Sequence, residues 1–141
     1  MAQMSFTEDQ KKAIETQGQN ILVAAAAGSG KTRVLVERII SQVCSKALSL
    51  DRVLVLTFTK AAAAEMRERI EAALNEKINA LALEGGAAAD LHEDIVLLER
   101  QRVLLTGADI STFHSFCQRL IQSHIDATEI PPTFRIASEQ E

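Results

Sequence analysis

The sequence predicts an α/β domain built on a mainly parallel sheet. Three observations point there. Ile21-Leu22-Val23-Ala24-Ala25 and Val53-Leu54-Val55-Leu56 are short apolar runs without alternation, as expected of strands covered on both faces. Each run is followed by a helical pattern, and strands that alternate with helices are joined by parallel crossovers. Between the first run and its helix stands Gly28-Ser29-Gly30, a turn placed where an open α/β sheet binds its ligands.

The elements follow in chain order. Thr7 stands three residues before Gln10, a capping-box spacing, so a short helix starts there with Lys11-Lys12-Ala13-Ile14. The run 21–25 is the first buried strand. Leu35, Val36, Ile39, Ile40 and Val43 then share one face of an amphipathic helix. The run 53–56 is the second buried strand. A long helix begins near Lys60, with Ala62, Met66, Ile70 and Leu74 at helical spacing. Glu65 with Arg69, and Arg67 with Glu71, are i,i+4 pairs on its wet side. Gly85-Gly86 breaks that pattern. Asp90-x-x-Glu93 starts another helix, with Leu91, Ile95 and Leu98 inward and Gly107 at its end. A short strand at Asp109-Ile110-Ser111 leads into a helix from about Phe113 to His124. Pro131-Pro132 marks a loop, and Phe134-Arg135-Ile136 reads as an extended tail. There is no internal repeat.

Bulk properties bound the possibilities. The 141 residues are 47% hydrophobic and 24% charged, which fits one soluble globular domain. A net charge of −4 argues against a free-standing basic module that grips nucleic acid by bulk electrostatics. No secretory signal and no membrane-length apolar run is visible. The two cysteines, Cys44 and Cys117, lie far apart. A reduced, cytoplasmic setting is expected. Trp and Tyr are both absent, so any stacking on a base falls to Phe, His or Arg.

Ala25-Ala26-Ala27-Gly28-Ser29-Gly30-Lys31-Thr32 matches the Walker A phosphate loop, with Ala first where Gly is commoner. A strand before and a helix after are the context that pattern needs. Gly28 and Gly30 let backbone N–H groups approach phosphate oxygens, and the helix N-terminus favours an anion. Lys31 can reach the β- and γ-phosphates, and the Thr32 hydroxyl can ligate Mg²⁺. The plainer reading is a glycine turn joining strand to helix. The loop by itself implies a nucleoside triphosphate, not what its hydrolysis drives.

Other segments narrow the choice. Thr57-Phe58-Thr59-Lys60-Ala61-Ala62-Ala63-Ala64-Glu65-Met66-Arg67-x-Arg69-Ile70 resembles motif Ia of the UvrD/Rep/PcrA-type DNA helicases of superfamily 1. Phe6 to Ile14 resembles their Q motif. Ser111-Thr112-Phe113-His114-Ser115-Phe116-Cys117 resembles their TFHS segment. Three departures bring the chain nearer to the helicase–nuclease A subunits of the AddAB type. Lys60-Ala61 replaces Asn-Lys, the stretch from Ile70 to Thr112 is longer, and the tail from Pro132 looks like the lead-in to domain 1B.

The resemblance implies a P-loop NTPase with a RecA-like sheet. Residues 1–141 would be the first part of helicase domain 1A, ending near domain 1B. It implies ATP and Mg²⁺ as cofactors, with single-stranded DNA and double-strand DNA ends as substrates. A second subunit of the AddB type and no membrane are expected. The Walker B acids, arginine finger and nuclease carboxylates, which the family places downstream, do not occur in this stretch. The isolated chain is therefore expected to hydrolyse ATP poorly. A plain repair helicase without a nuclease, and an ATP-binding adaptor without motor activity, are the alternatives.

Residue by residue, the resemblance puts Gln10 on the adenine edge, where an amide offers donor and acceptor together. The alternative is its place as the N3 residue of Thr7's capping box, a role that would occupy the same amide. Arg33 is counted with the loop residues in the ATP site. Phe58, Thr59 and Lys60 are expected on single-stranded DNA, by stacking and phosphate contact. For Phe58 the alternative is a core aromatic, and for Lys60 a solvated helix start. Phe113 and His114 are expected on DNA as well, against a capping or core histidine. His92 and His124 lack partners at metal spacing. Cys117 reads as core rather than chemistry.

Overall fold

The computed structural model describes residues 5–26, 28–83, 89–131 and 133–134. Five helices and two strands succeed one another among them: α1 (Glu8–Glu15), α2 (Lys31–Cys44), β1 (Leu54–Thr57), α3 (Lys60–Leu83), α4 (Ala89–Leu104), β2 (Asp109–Thr112) and α5 (Phe113–Ser123). Single 3-10 turns occur at Leu50–Arg52, Leu105–Gly107 and Ile125–Ala127.

β1 and β2 pair in parallel, with Leu54 opposite Asp109 and Thr57 opposite Thr112. The core lies on one side of this two-stranded sheet. Val36, Ile39, Ile40 and Val43 of α2 meet Ala63, Met66, Ile70, Leu74 and Ile78 of α3, together with Leu98 of α4 and Val55 and Ile110 of the strands. Ile70 and Leu74 are wholly enclosed, so Leu74→Ala is expected to cost about 2–5 kcal/mol. A second, smaller cluster of Ala13, Ile14 and Val34, with Phe6 against it, fastens α1 to α2.

Polar side chains close the seams. Arg67 of α3 donates to the carbonyls of Leu105 and Ala108, the latter at 3.0 Å. Both carbonyls lie in the turn after α4 and each also accepts from a backbone amide, Leu105 from Ala108 at 3.2 Å and Ala108 from Ile110 at 3.0 Å, so Arg67 takes their second lone pairs. Buried Gln101 of α4 accepts from the Leu50 amide at 2.8 Å, so the turn before β1 is held by a residue about fifty positions away.

Several expectations need correction. Residues 21–26 are neither a strand nor buried; Leu22 is 95% exposed. A strand needs a ladder partner for its N–H and C=O groups, and among the described residues β1 and β2 pair only with each other. β1 is covered on one face alone: Val55 is buried, while Leu54 and Leu56 are exposed. Leu35 is exposed, and Val34 takes its place on the packed side of α2. Arg67 does not pair with Glu71 across solvent, because the Leu105 and Ala108 carbonyls offer it a less exposed berth. The Glu65–Arg69 pair does form, at 2.5 Å.

α4 ends at Leu104, and Gly107 closes the 3-10 turn after it. Ala27, the Gly85-Gly86 break, the Asp90 side chain as a helix opener, Pro132 and the Arg135-Ile136 tail lie outside the described residues. No helix among the described residues is long and apolar enough to cross a membrane.

Candidate functional site

The phosphate-loop residues form a turn that runs straight into α2. Gly28 and Gly30 have φ of +77° and +81°, a left-handed backbone that costs other residues about 1–2 kcal/mol. A Cβ at Gly28 would meet nothing within 4 Å, and one at Gly30 would meet only the Gln10 amide at 3.8 Å. Backbone conformation, rather than crowding inside the protein, is what demands glycine here. Ser29 ties the turn by donating from its hydroxyl to the Ala26 carbonyl at 2.8 Å. Gly30 is the N-cap of α2 and supplies no side-chain cap. Gly30 gives the start of α2 no side-chain acceptor of its own, and an anion fits there.

Lys31 lies across this turn. Its Nζ donates to the carbonyls of Ala25 and Ala26, both at 2.8 Å. The ammonium therefore stands over the loop, held by two weak acceptors that phosphate oxygens can replace. Thr32 follows, exposed in the first turn of α2. That turn contains no acidic residue. A single protein hydroxyl suits Mg²⁺, which keeps several waters and takes its other ligands from phosphate.

Gln10 joins α1 to the loop. Its Oε1 accepts from the Thr7 amide at 2.9 Å, and the Thr7 hydroxyl accepts from the Gln10 amide at 3.3 Å. Its Nε2 donates to the Ser29 carbonyl at 3.1 Å. The capping box therefore uses only the oxygen end of the side chain. One rotamer thus serves the cap through its oxygen and reaches the loop through its nitrogen. The same network fixes which end of the amide is oxygen. Next to it, the Arg33 guanidinium carbon sits 4.4 Å from the centre of the Phe6 ring, within cation–π range.

The second group of residues gathers at the carboxyl edge of the sheet. Because Thr57 is in register with Thr112, the residues that follow them, Phe58 and Phe113, leave neighbouring strands at the same level. Phe58 is fully exposed and Phe113 is 60% exposed. Thr59, Lys60 and His114 are exposed as well. Neither a core Phe58 nor a core His114 is what the fold contains. Cys117 is half-buried. Both helices that start at this edge are closed by threonines. Thr59 Oγ1 accepts from the Ala62 amide at 3.1 Å, and Thr112 Oγ1 from the Ser115 amide at 3.2 Å.

Behind the edge lies a cleft of about 250 Å³ lined by Lys60, Arg67, Ser111, Thr112, Ser115 and Arg119 among others. Arg67 is committed to carbonyls, and Arg119 to Asp109 and, at 3.0 Å, to Ser111. Lys60 is the cation that this edge presents outward. A larger groove of about 770 Å³ runs between α1, α2 and α3 and includes Phe6 and Arg33, but none of the glycine-loop residues. Size therefore does not mark the loop; its backbone chemistry does.

Sequence reasoning missed Arg38, Arg67 and Arg119. Arg38 and Arg67 spend their guanidiniums on carbonyls more than twenty residues away, and Arg119 spends its own on Asp109 and Ser111 of the preceding strand.

Comparison with known proteins agrees with these motifs. The family profile described as UvrD/REP helicase N-terminal domain matches residues 6–141. The chain is 48% identical, over its whole length, to the ATP-dependent helicase/nuclease subunit of the A type from Lachnoclostridium phytofermentans. Over 96% of its length it is 46% identical to the protein of the same name from Staphylococcus saprophyticus and 48% identical to that from Staphylococcus carnosus. It spans 10% of the length of each.

Proposed function

This chain belongs to the UvrD/REP helicase N-terminal domain family, and we propose that it is the nucleotide-binding opening of domain 1A in an ATP-dependent DNA helicase/nuclease subunit of the A type. Such a subunit would act in the cytoplasm on double-strand DNA ends, with a second subunit of the AddB type. The names carried by its relatives support this reading. The observation that carries the ATP site is the glycine-capped, side-chain-free start of α2 with Lys31 lying across it.

The chain's own residues divide the work. The amides at the start of α2 receive phosphate oxygens, and Lys31 exchanges two carbonyls for the β- and γ-phosphates. Thr32 holds Mg²⁺, which when bound neutralises phosphate charge. Gln10, whose Nε2 rests on the Ser29 carbonyl, would exchange that contact for the adenine edge, with Arg33 beside it. Phe58 and Phe113 offer faces on which bases stack. Thr59, Lys60 and His114 meet the sugar–phosphate strand.

The isolated chain should bind Mg·ATP weakly and turn it over poorly, because the acids and the arginine that complete such sites come from elsewhere. In other NTPases that arginine alone accounts for about 10³–10⁵ in rate. The test is a pair of measurements on wild type and Lys31→Ala: nucleotide-dependent melting of this chain, and DNA-stimulated ATP hydrolysis by the full-length polypeptide. Loss of both in the variant supports the proposal. An unchanged melting shift and unchanged turnover would sink it.

A further inference from the structure

α1 is only two turns long, and a helix of eight residues does not hold itself together or in place. Its position against α2 comes from contacts at three levels. At the top Gln10 Nε2 reaches the Ser29 carbonyl at 3.1 Å. In the middle Ala13 and Ile14 pack on Val34. At the bottom is Arg38. Its Nη1 donates to the carbonyls of Ala13 at 2.7 Å and Thr16 at 2.5 Å, and reaches Ile14 at 3.4 Å. These are the orphan acceptors at the negative end of α1. The Gln42 amide, with its oxygen turned to the guanidinium, accepts from Arg38 Nη2 at 3.1 Å and Nε at 3.2 Å. One planar fork is thus braced from α2 and gripped onto α1, a geometry that a lysine point charge cannot copy.

The spacing gives this grip leverage. Arg38 lies seven positions after Lys31, two turns down the same face of α2. α2 therefore carries the phosphate loop at one end and the clasp on α1 further along. The apolar middle contact is non-directional and acts as a pivot. The polar contacts at the two ends orient α1, and one of them is Gln10 itself.

We propose that Arg38 is a positioning residue of the nucleotide site: by clasping the carboxyl end of α1 it holds Gln10 in register with the loop and so sets the preference for adenine over other bases. This rests on the role proposed above for Gln10.

The experiment is steady-state hydrolysis of ATP and GTP by the full-length polypeptide that carries this chain. The variants are Arg38→Met, Arg38→Lys, Gln42→Leu, Gln10→Ala and the Arg38→Met/Gln10→Ala double. Arg38→Met should raise KM for ATP about tenfold, as small misplacements of a binding group do, with kcat within about twofold and KM for GTP nearly unchanged. Arg38→Lys should fall between it and wild type. The double variant should be no worse than Gln10→Ala, because both act through one contact.

A merely structural role would raise both KM values alike and add to the Gln10→Ala effect, and that result overturns the proposal. If Gln10→Ala leaves the ATP preference intact, the adenine reading itself fails and this inference falls with it. If Gln10→Ala abolishes the preference and Arg38→Met does not, Arg38 alone is wrong. Should Arg38→Met not fold, Gln42→Leu removes only the brace. A severalfold loss of adenine preference then supports the clasp, and an unchanged preference overturns it.

Discussion

The chain enters its helices in two chemically different ways. At α2 the N-cap is Gly30, left-handed and without a side chain. At α1 and α5 the N-caps are Thr7 and Thr112, extended, with a hydroxyl accepting from a first-turn amide. Thr59 accepts in the same way from an amide of α3. A threonine cap satisfies one of the free amides and stabilises the helix by about 1 kcal/mol. A glycine cap supplies no side-chain acceptor, at a cost of only a few tenths of a kcal/mol, and leaves room for a ligand. The proposed nucleotide loop thus binds through its backbone, whereas the edge at Phe58 and Phe113 has its helix starts already closed and offers side-chain faces. Backbone amides hold one anion in one geometry. Exposed rings and a lysine would suit the looser grip proposed for a DNA strand.

The contrast can be tested from its strongest point downward. Lys31→Ala should remove the melting shift that nucleotide gives the wild type. At one hundred times Kd a ligand stabilises the folded state by about 2.7 kcal/mol, or several degrees at about 2–4 °C per kcal/mol for a domain of this size. Equal shifts in both proteins would dissolve the distinction between the two kinds of helix start.

Phe58→Ala should weaken single-stranded DNA binding by about tenfold to a hundredfold, the range for one base–aromatic stack. It should leave the melting temperature alone, since the ring touches no core. Titration of a labelled oligonucleotide measures the first and a thermal melt the second. A large fall in stability would mean that the ring packs in solution.

Gly30→Ala should cost about 1–2 kcal/mol through its left-handed φ, and should also reduce nucleotide binding. Thr112→Ala should cost about 1 kcal/mol and leave nucleotide binding unchanged. If the two alanines behave alike in a nucleotide titration, the choice of cap residue has nothing to do with ligand.

The smallest effect lies at the far end of α2. Burial pushes the Cys44 thiol above its ordinary range, with Asp94 and Glu37 adding to the rise and Lys77 opposing it. Folding then favours the protonated form. That contribution is complete below the ordinary thiol pKa and is lost as pH rises through the raised one. Iodoacetamide should label Cys44 near pH 8 more slowly in the folded than in the unfolded protein, and saturating nucleotide should not change that rate. A nucleotide-dependent rate would show that ligand is felt along the whole helix and not only at its glycine cap.

Much of the candidate site was legible because its signals are local. Thr7 and Gln10 announce the capping box, and the spacing from Gly28 to Thr32 announces the loop. The apolar periodicity of 60–83 announces α3, although the enclosed positions are Ala63, Met66, Ile70, Leu74 and Ile78 rather than a set that includes Ala62. The exposure of Phe58 and His114 was not legible, because an aromatic after an apolar run has the same local pattern whether a core or solvent receives it. The contact of Gln10 with the loop was not legible for a related reason. The cap partner of Gln10 is three residues away and visible, but its loop partner is nineteen residues away and depends on how α1 leans on α2.

The sequence by itself determined where the helices run, where the loop turns and which residue types face a phosphate, since caps, glycine conformations and helical periodicity are set by neighbours within about four residues. Tertiary structure alone decided the rest. The run at 21–25 has the composition of a buried strand, yet a strand exists only where a neighbour pairs with it, and among the described residues the ladder joins β1 and β2 alone. Arg38 and Arg67 have the look of solvated charges, yet Arg38 settles on carbonyls at the end of α1 and Arg67 on carbonyls of the turn after α4. Ladder partners and carbonyl acceptors of this kind are supplied by parts of the chain far away in sequence, so no local pattern can announce them.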